Sequence, residues 1–108
     1  MMMSSMSCSR NDIVLLPIPF SDLTSRKVRP AVVVGKSGAD LFLVPISSQL
    51  QNTVVTLQDW RAAGLNVPCG LKAQLATVES SLVVKTMGKL SATDQLALDN
   101  RLRAWLQL

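Results

Sequence analysis

The densest basic stretch of the chain is Arg26, Lys27 and Arg29, with Lys36 nearby, flanking a loop and the mouth of an apolar run. Cations placed there can meet the backbone phosphates of a nucleic acid. The same charges also suit a solvated group that protects a sheet edge, and charge alone favours this second reading. Further along, Ser47, Ser48 and Gln49 end another apolar run and supply hydroxyl and amide groups. The chain has no His, which removes Ser-His-Asp and Cys-His nucleophilic centres, paired-His ribonuclease chemistry and most zinc or iron ligand sets. The acidic residues are scattered, with no spacing that pairs two carboxylates for acid/base work or metal binding. Cys8 and Cys69 match neither a disulfide framework nor a metal-ligand spacing, so no cofactor and no metal are implied. Gly35 and Gly38 read as turn glycines rather than a phosphate cradle. Phe20, Phe42, Trp60 and Trp105 lie within apolar runs or short helices and read as core rather than as a base-stacking platform.

The scaffold that must position these groups is small. The chain has 108 residues, a formal net charge of +4 and 48% hydrophobic residues, which describes a single domain and excludes two. A chain of this size buries only about two-thirds of its unfolded surface, so a partner subunit would add core. The positive balance favours anionic partners, nucleic acid first. No apolar run approaches the roughly 18 residues of a membrane span, and Met1 to Arg10 carry Ser where a signal peptide is apolar, so a cytoplasmic protein with no membrane partner is expected. Residues 1–10 read as a flexible tail and residues 11–108 as one domain.

Within that domain, residues 12–20 read as a strand, and Pro17 and Pro19 remove amide donors from one side of it, which predicts a sheet edge. Residues 21–28 read as a loop, a mobile gate beside Arg29. Strands are expected over residues 31–34, 41–46, 53–57, 71–78 and 82–87, with a hairpin turn at residues 35–40 and about one helical turn at residues 59–63 stopped by Gly64. Ser91 and Asp94 form a capping-box-like pair, and Leu98, Leu102, Trp105 and Leu106 then make one apolar stripe on a terminal helix. The expected fold is mainly β, a small SH3-like barrel closed by a C-terminal α-helix.

The order of short motifs goes further: Asn11-Asp12-Ile13-Val14, Pro19-Phe20-Ser21-Asp22-Leu23, Arg29-Pro30-Ala31-Val32-Val33-Val34 and Val44-Pro45-Ile46-Ser47-Ser48-Gln49. Asp59-Trp60 with Ala63-Gly64-Leu65, Thr77-Val78 with Ser81-Leu82-Val83, and Gly88-Lys89-Leu90-Ser91 before a helix follow in the same order. From Asn11 to the C-terminus the chain resembles the MazF/PemK family of type II toxins. The resemblance implies a homodimeric, metal-independent endoribonuclease that cuts single-stranded RNA at short sequence motifs. Its implied partners are RNA, a cognate antitoxin and, through that antitoxin, operator DNA.

Carried over residue by residue, the resemblance puts the catalytic arginine on Arg29 and the catalytic hydroxyl on Ser47. Arg26, Lys27, Pro30, Ser48, Gln49, Lys72 and Thr77 become the RNA-binding set. Two departures stand out: Asn11 replaces a Gly found in many relatives, a mild change because Asn tolerates left-handed backbone angles. Ala76 stands where relatives often carry a basic residue. Two other readings keep the fold without the cutting: a toxin that grips DNA gyrase through its terminal helix, and a regulator that only binds its antitoxin and operator.

Overall fold

The computed structural model describes residues 8–17 and 27–108. Alternate side chains of the three long strands enter two different cores, which explains why these strands read as continuous apolar runs rather than as a polar/apolar alternation. The strands are β1 (Asp12–Pro17), β2 (Val28–Ser37) and β3 (Asp40–Ser47). Ile13, Val32, Val44 and Ile46 pack on one face with Leu57, Leu71, Leu90, Leu98 and Leu102. Val14, Leu16, Ala31, Val33, Leu41 and Leu43 fill the other face with Cys8, Val78 and Val83.

The remaining strands are β4 (Val55–Thr56), β5 (Gly70–Leu71), β6 (Ala76–Glu79) and β7 (Lys85–Lys89). Together they form a seven-stranded antiparallel sheet in the order β4-β5-β3-β2-β1-β7, with β6 also paired to β3. One helix, α1 (Ala92–Leu106), follows, so the chain is mainly β with a terminal helix, as its sequence predicts. Among the described residues no helix is long and apolar enough to cross a membrane.

Several expectations change in detail. β1 is an interior strand, paired with β2 along its length and with β7 from Asp12 to Leu15, so its proline does not mark a sheet edge. Pro17 lies beyond the end of the β7 pairing, where no donor is required; Pro19 and most of the expected gate loop lie outside the described residues. The expected turn at residues 35–40 narrows to Gly38 and Ala39, because Gly35 belongs to a bulge in β2. The expected strand over residues 71–78 divides into β5 and β6, and that over residues 82–87 begins later, after a 3-10 turn at Ser80–Leu82. Cys8 is buried, and Arg10 donates to the Val34 carbonyl and pairs with Asp99, so residues 8–10 pack with the domain.

Two termini of local structure are built as the sequence requires. Gly64, at φ +90°, ends the turn after Asp59 with bonds from its own N–H to the Arg61 carbonyl and from the Leu65 N–H to the Trp60 carbonyl, the Schellman pattern. A Cβ there would sit 2.3 Å from the Met87 carbonyl oxygen, so only glycine lets this turn approach β7. Ser91 caps α1 by accepting the Asp94 N–H. Asp94 does not complete a capping box: its buried carboxylate accepts the backbone N–H groups of Gln58 and Asp59 instead. Leu98 and Leu102 are buried and Trp105 packs against their core, whereas Leu106 stands outside the stripe and is exposed. Asn11 adopts φ +76°, the left-handed conformation that a glycine or asparagine accepts there.

Candidate functional site

The antiparallel register that pairs Ala31 with Pro45 brings the first residues of β2 beside the last residues of β3. Arg29 and Pro30 come from the first strand end, Ser47, Ser48 and Gln49 from the second. β5 then pairs with β3 on its other side, Leu71 against Ile46 and Gly70 against Ser47, and the Lys72 N–H donates to the Pro45 carbonyl. Three neighbouring strands therefore deliver Arg29, Ser47 and Lys72 to one cleft of about 470 Å³. A 3-10 turn at Leu50–Asn52 and residues 65–69 complete it, with Asn52, Asn66, Val67 and Cys69 in the lining.

Gly70 makes that arrangement possible, because a Cβ would lie 2.5 Å from Thr53 Oγ1 and 2.6 Å from the Val55 carbonyl oxygen. The segment after β3 folds directly onto it. At the centre, Ser47 is half-buried and its Oγ accepts the Gln49 N–H at 3.0 Å. The hydroxyl proton is left to donate elsewhere. The Asn52 amide donates to Gln49 Oε1 at 2.9 Å, holding two amides together at the rim.

Of the two cations among the described lining residues, Arg29 is exposed and Lys72 half-buried. Cys69 is buried at the cleft wall; burial raises its thiol pKa above the ordinary value, and Sγ donates to the Val67 carbonyl. Among the described residues the cleft lining contains no carboxylate, and no group of three or more His, Cys, Asp or Glu side chains is placed to hold a metal. Such a lining can bind and polarise an anion, and it is poor in ligands for a divalent cation.

Of the residues expected from the sequence, Arg29, Pro30, Ser47, Ser48, Gln49 and Lys72 come together in this cleft. Lys27 is exposed just before β2, and Arg26 lies outside the described residues. Thr77 is elsewhere: on β6, opposite Phe42, it lines a separate apolar groove of about 560 Å³ with Ala76, Leu75, Leu106 and Leu108. Phe42 is 39% exposed in that groove rather than part of the core. Phe20 lies outside the described residues, and Trp60 and Trp105 pack against the first core, with Arg61 stacked 4.8 Å above the Trp60 ring. Sequence reasoning missed Asn52, Asn66, Val67 and Cys69 as cleft residues, since none belongs to a motif and only the fold brings them to Ser47.

A small, mainly antiparallel β domain with a terminal helix thus carries a cleft lined by cationic and hydroxyl-bearing residues at converging strand ends. Residues 9–106 match the family of PemK-like, MazF-like toxins of type II toxin-antitoxin systems, and the chain belongs to that family. Two solved structures share its fold. A Mycobacterium tuberculosis toxin, MazF-mt6, is 16% identical, with a TM-score of 0.69 over 90% of this chain and 97% of that one. An endoribonuclease in complex with its cognate antitoxin, from a mycobacterial species, is 13% identical, with a TM-score of 0.68 over 92% of each chain. No curated protein matches the chain by sequence at a significant level.

Proposed function

We propose that this toxin is an endoribonuclease that cleaves single-stranded RNA by attack of the ribose 2′-hydroxyl on the adjacent phosphorus. The observation that carries the reading is the convergence of Arg29 and Ser47 on one cationic cleft. Attack forms the O2′–P bond and breaks the P–O5′ bond through a phosphorane-like state with extra negative charge. The Arg29 guanidinium can meet two oxygens of that state at once, which the point charge of a lysine cannot do. Ser47, whose oxygen already accepts the Gln49 N–H, donates its own proton to the phosphate or to the attacking ribose and so orients the attack. The products are a 2′,3′-cyclic phosphate and a 5′-hydroxyl. The amides of Gln49, Asn52 and Asn66 at the rim are suited to reading the edges of unpaired bases, which supports sequence selectivity.

The partners follow from the same surfaces. A second copy of this chain covers the apolar groove bounded by Phe42, Leu75 and Leu106, which a two-fold contact would bury on both protomers. An antitoxin with an acidic tail complements the net charge of +4, competes with RNA for the cleft and carries the pair to operator DNA. The same reading places the protein in the cytoplasm with its substrate.

The test is incubation of purified protein with defined single-stranded RNA in EDTA, with analysis of the ends. Cleavage to 2′,3′-cyclic phosphate and 5′-hydroxyl termini is expected. RNA that stays intact at high protein concentration would leave the gripping or regulatory readings instead.

A further inference from the structure

We infer that Lys72 is the general acid of the cleft, donating the proton that the departing 5′-oxygen requires; this rests on the endoribonuclease reading above. The sheet order sets β3 between β2 and β5, so Ser47 is flanked by Arg29 on one side and by the strand leading to Lys72 on the other. Displacement at phosphorus is in line, with the attacking and leaving oxygens on opposite sides of the reacting atom. A cleft with a central hydroxyl and a cationic group on each flank matches that demand. One cation can hold the non-bridging oxygens while the other stands at the end where the bond breaks.

The chemistry of the lining separates the two roles. Among the described residues, the titratable side chains of the cleft are Arg29, Cys69 and Lys72. A guanidinium does not give up its proton in a protein, so Arg29 can stabilise charge without transferring a proton. The Cys69 thiol is buried and already donates to the Val67 carbonyl. An ammonium both carries a proton and can release it, and lysine belongs to the side chains that serve in general acid and base catalysis. Its backbone is fixed beside the strand of the serine, because the Lys72 N–H donates to the Pro45 carbonyl, two residues before Ser47 on β3.

The step balances as follows. The O2′–P bond forms as the 2′-hydroxyl proton passes to water, the P–O5′ bond breaks, and the Lys72 ammonium proton moves to O5′. The neutral amine is then reprotonated from solvent.

The experiment compares an oligoribonucleotide carrying one scissile linkage with its analogue in which the leaving 5′-oxygen is replaced by sulfur. A thiolate leaves without protonation, so only the oxygen substrate needs the acid. In single turnover at saturating RNA, Lys72→Ala is expected to slow the oxygen substrate by about 10²- to 10⁴-fold and to slow the sulfur substrate far less. Arg29→Ala is expected to lose rate on both. Lys72→Arg, which keeps the charge and cannot release the proton, is expected to stay slow on the oxygen substrate. Equal losses on both substrates for Lys72→Ala, or full activity of Lys72→Arg, would overturn the inference while leaving the endoribonuclease reading intact. Wild-type protein that cuts neither substrate would overturn both.

Discussion

Arg29 and Ser47 lie on neighbouring strands, each two residues beyond the Ala31–Pro45 pair at which the β2–β3 register ends, and both line the same cleft. Arg29 is exposed and Ser47 half-buried, an arrangement that leaves the cation open to solvent while the fold holds the serine. Arg29→Ala is expected to remove nearly all RNA cleavage, and Arg29→Lys to retain little, since a lost transition-state donor costs about 3 kcal/mol. Affinity for an uncleavable RNA should fall much less than the rate. Single-turnover kinetics alongside binding measurements check both, and a wild-type rate in Arg29→Lys would refute the bidentate role.

The Ser47 oxygen accepts a backbone N–H, so the role assigned to this residue needs the hydroxyl and nothing else of the side chain. Ser47→Thr is therefore expected to stay active and Ser47→Ala to lose about 10²-fold in cleavage rate. An inactive Thr variant whose thermal stability has dropped would instead point to packing.

The strands that carry this pair are legible in the sequence because their apolar runs are unbroken, and the Arg-Pro and Ile-Ser-Ser-Gln motifs fall at their ends. Their neighbours are less so. Pro17 reads as an edge residue, yet it lies past Leu15, where β7 stops pairing, so an interior strand tolerates it. The stretch after Gly70 reads as one strand, but the chain leaves the Ile46 end of β3 and rejoins that strand between Asp40 and Leu43, which requires a break that local pattern does not encode. Phe42 reads as core because it lies within an apolar run; Leu41 and Leu43 beside it are buried, and the alternation of a strand turns Phe42 to the other face, where it lines a groove. Asn52, Asn66 and Cys69 become cleft residues through tertiary structure alone.

Asp94 fastens the start of α1 to the segment after β4, accepting the N–H groups of Gln58 at 2.8 Å and Asp59 at 2.9 Å while its own N–H is held by Ser91. Removing that carboxylate leaves two donors without a partner in a partly buried position. Asp94→Ala is expected to destabilise the fold by about 2 to 4 kcal/mol, and Ser91→Ala by about 1 kcal/mol. Denaturant unfolding measures both, and an Asp94→Ala variant as stable as wild type would show that these bonds contribute nothing net.

The apolar groove makes a separate demand, because Leu106 and Phe42 are exposed in a chain too small to spare apolar surface. A second copy on this face predicts that Leu106→Glu shifts the protein from dimer to monomer at micromolar concentration. Light scattering reads the change directly. Wild-type protein that is already monomeric at that concentration would overturn the assignment, and so would a Leu106→Glu variant that remains dimeric.

Both thiols are buried, and burial raises their pKa values above the ordinary 9.0; for Cys8 the Asp12 carboxylate adds to the rise and Lys36 opposes it. A protonated thiol is a poor nucleophile, so iodoacetamide at pH 8 is expected to label the native protein far more slowly than the unfolded chain. The sign of the pH effect on stability follows from the same shifts. At neutral pH both folded and unfolded thiols are protonated and the full stability is present. As pH rises through 9.0 the unfolded thiols ionise first, which favours the unfolded chain, and the contribution is lost progressively until the folded thiols ionise as well. The midpoint of thermal unfolding should therefore fall more steeply above pH 9 in the wild type than in a Cys8→Ala/Cys69→Ala variant. The comparison is made between slopes, because the substitutions themselves change packing at every pH. Parallel slopes, or rapid labelling of the folded protein at pH 8, would show that burial does not hold these protons in place.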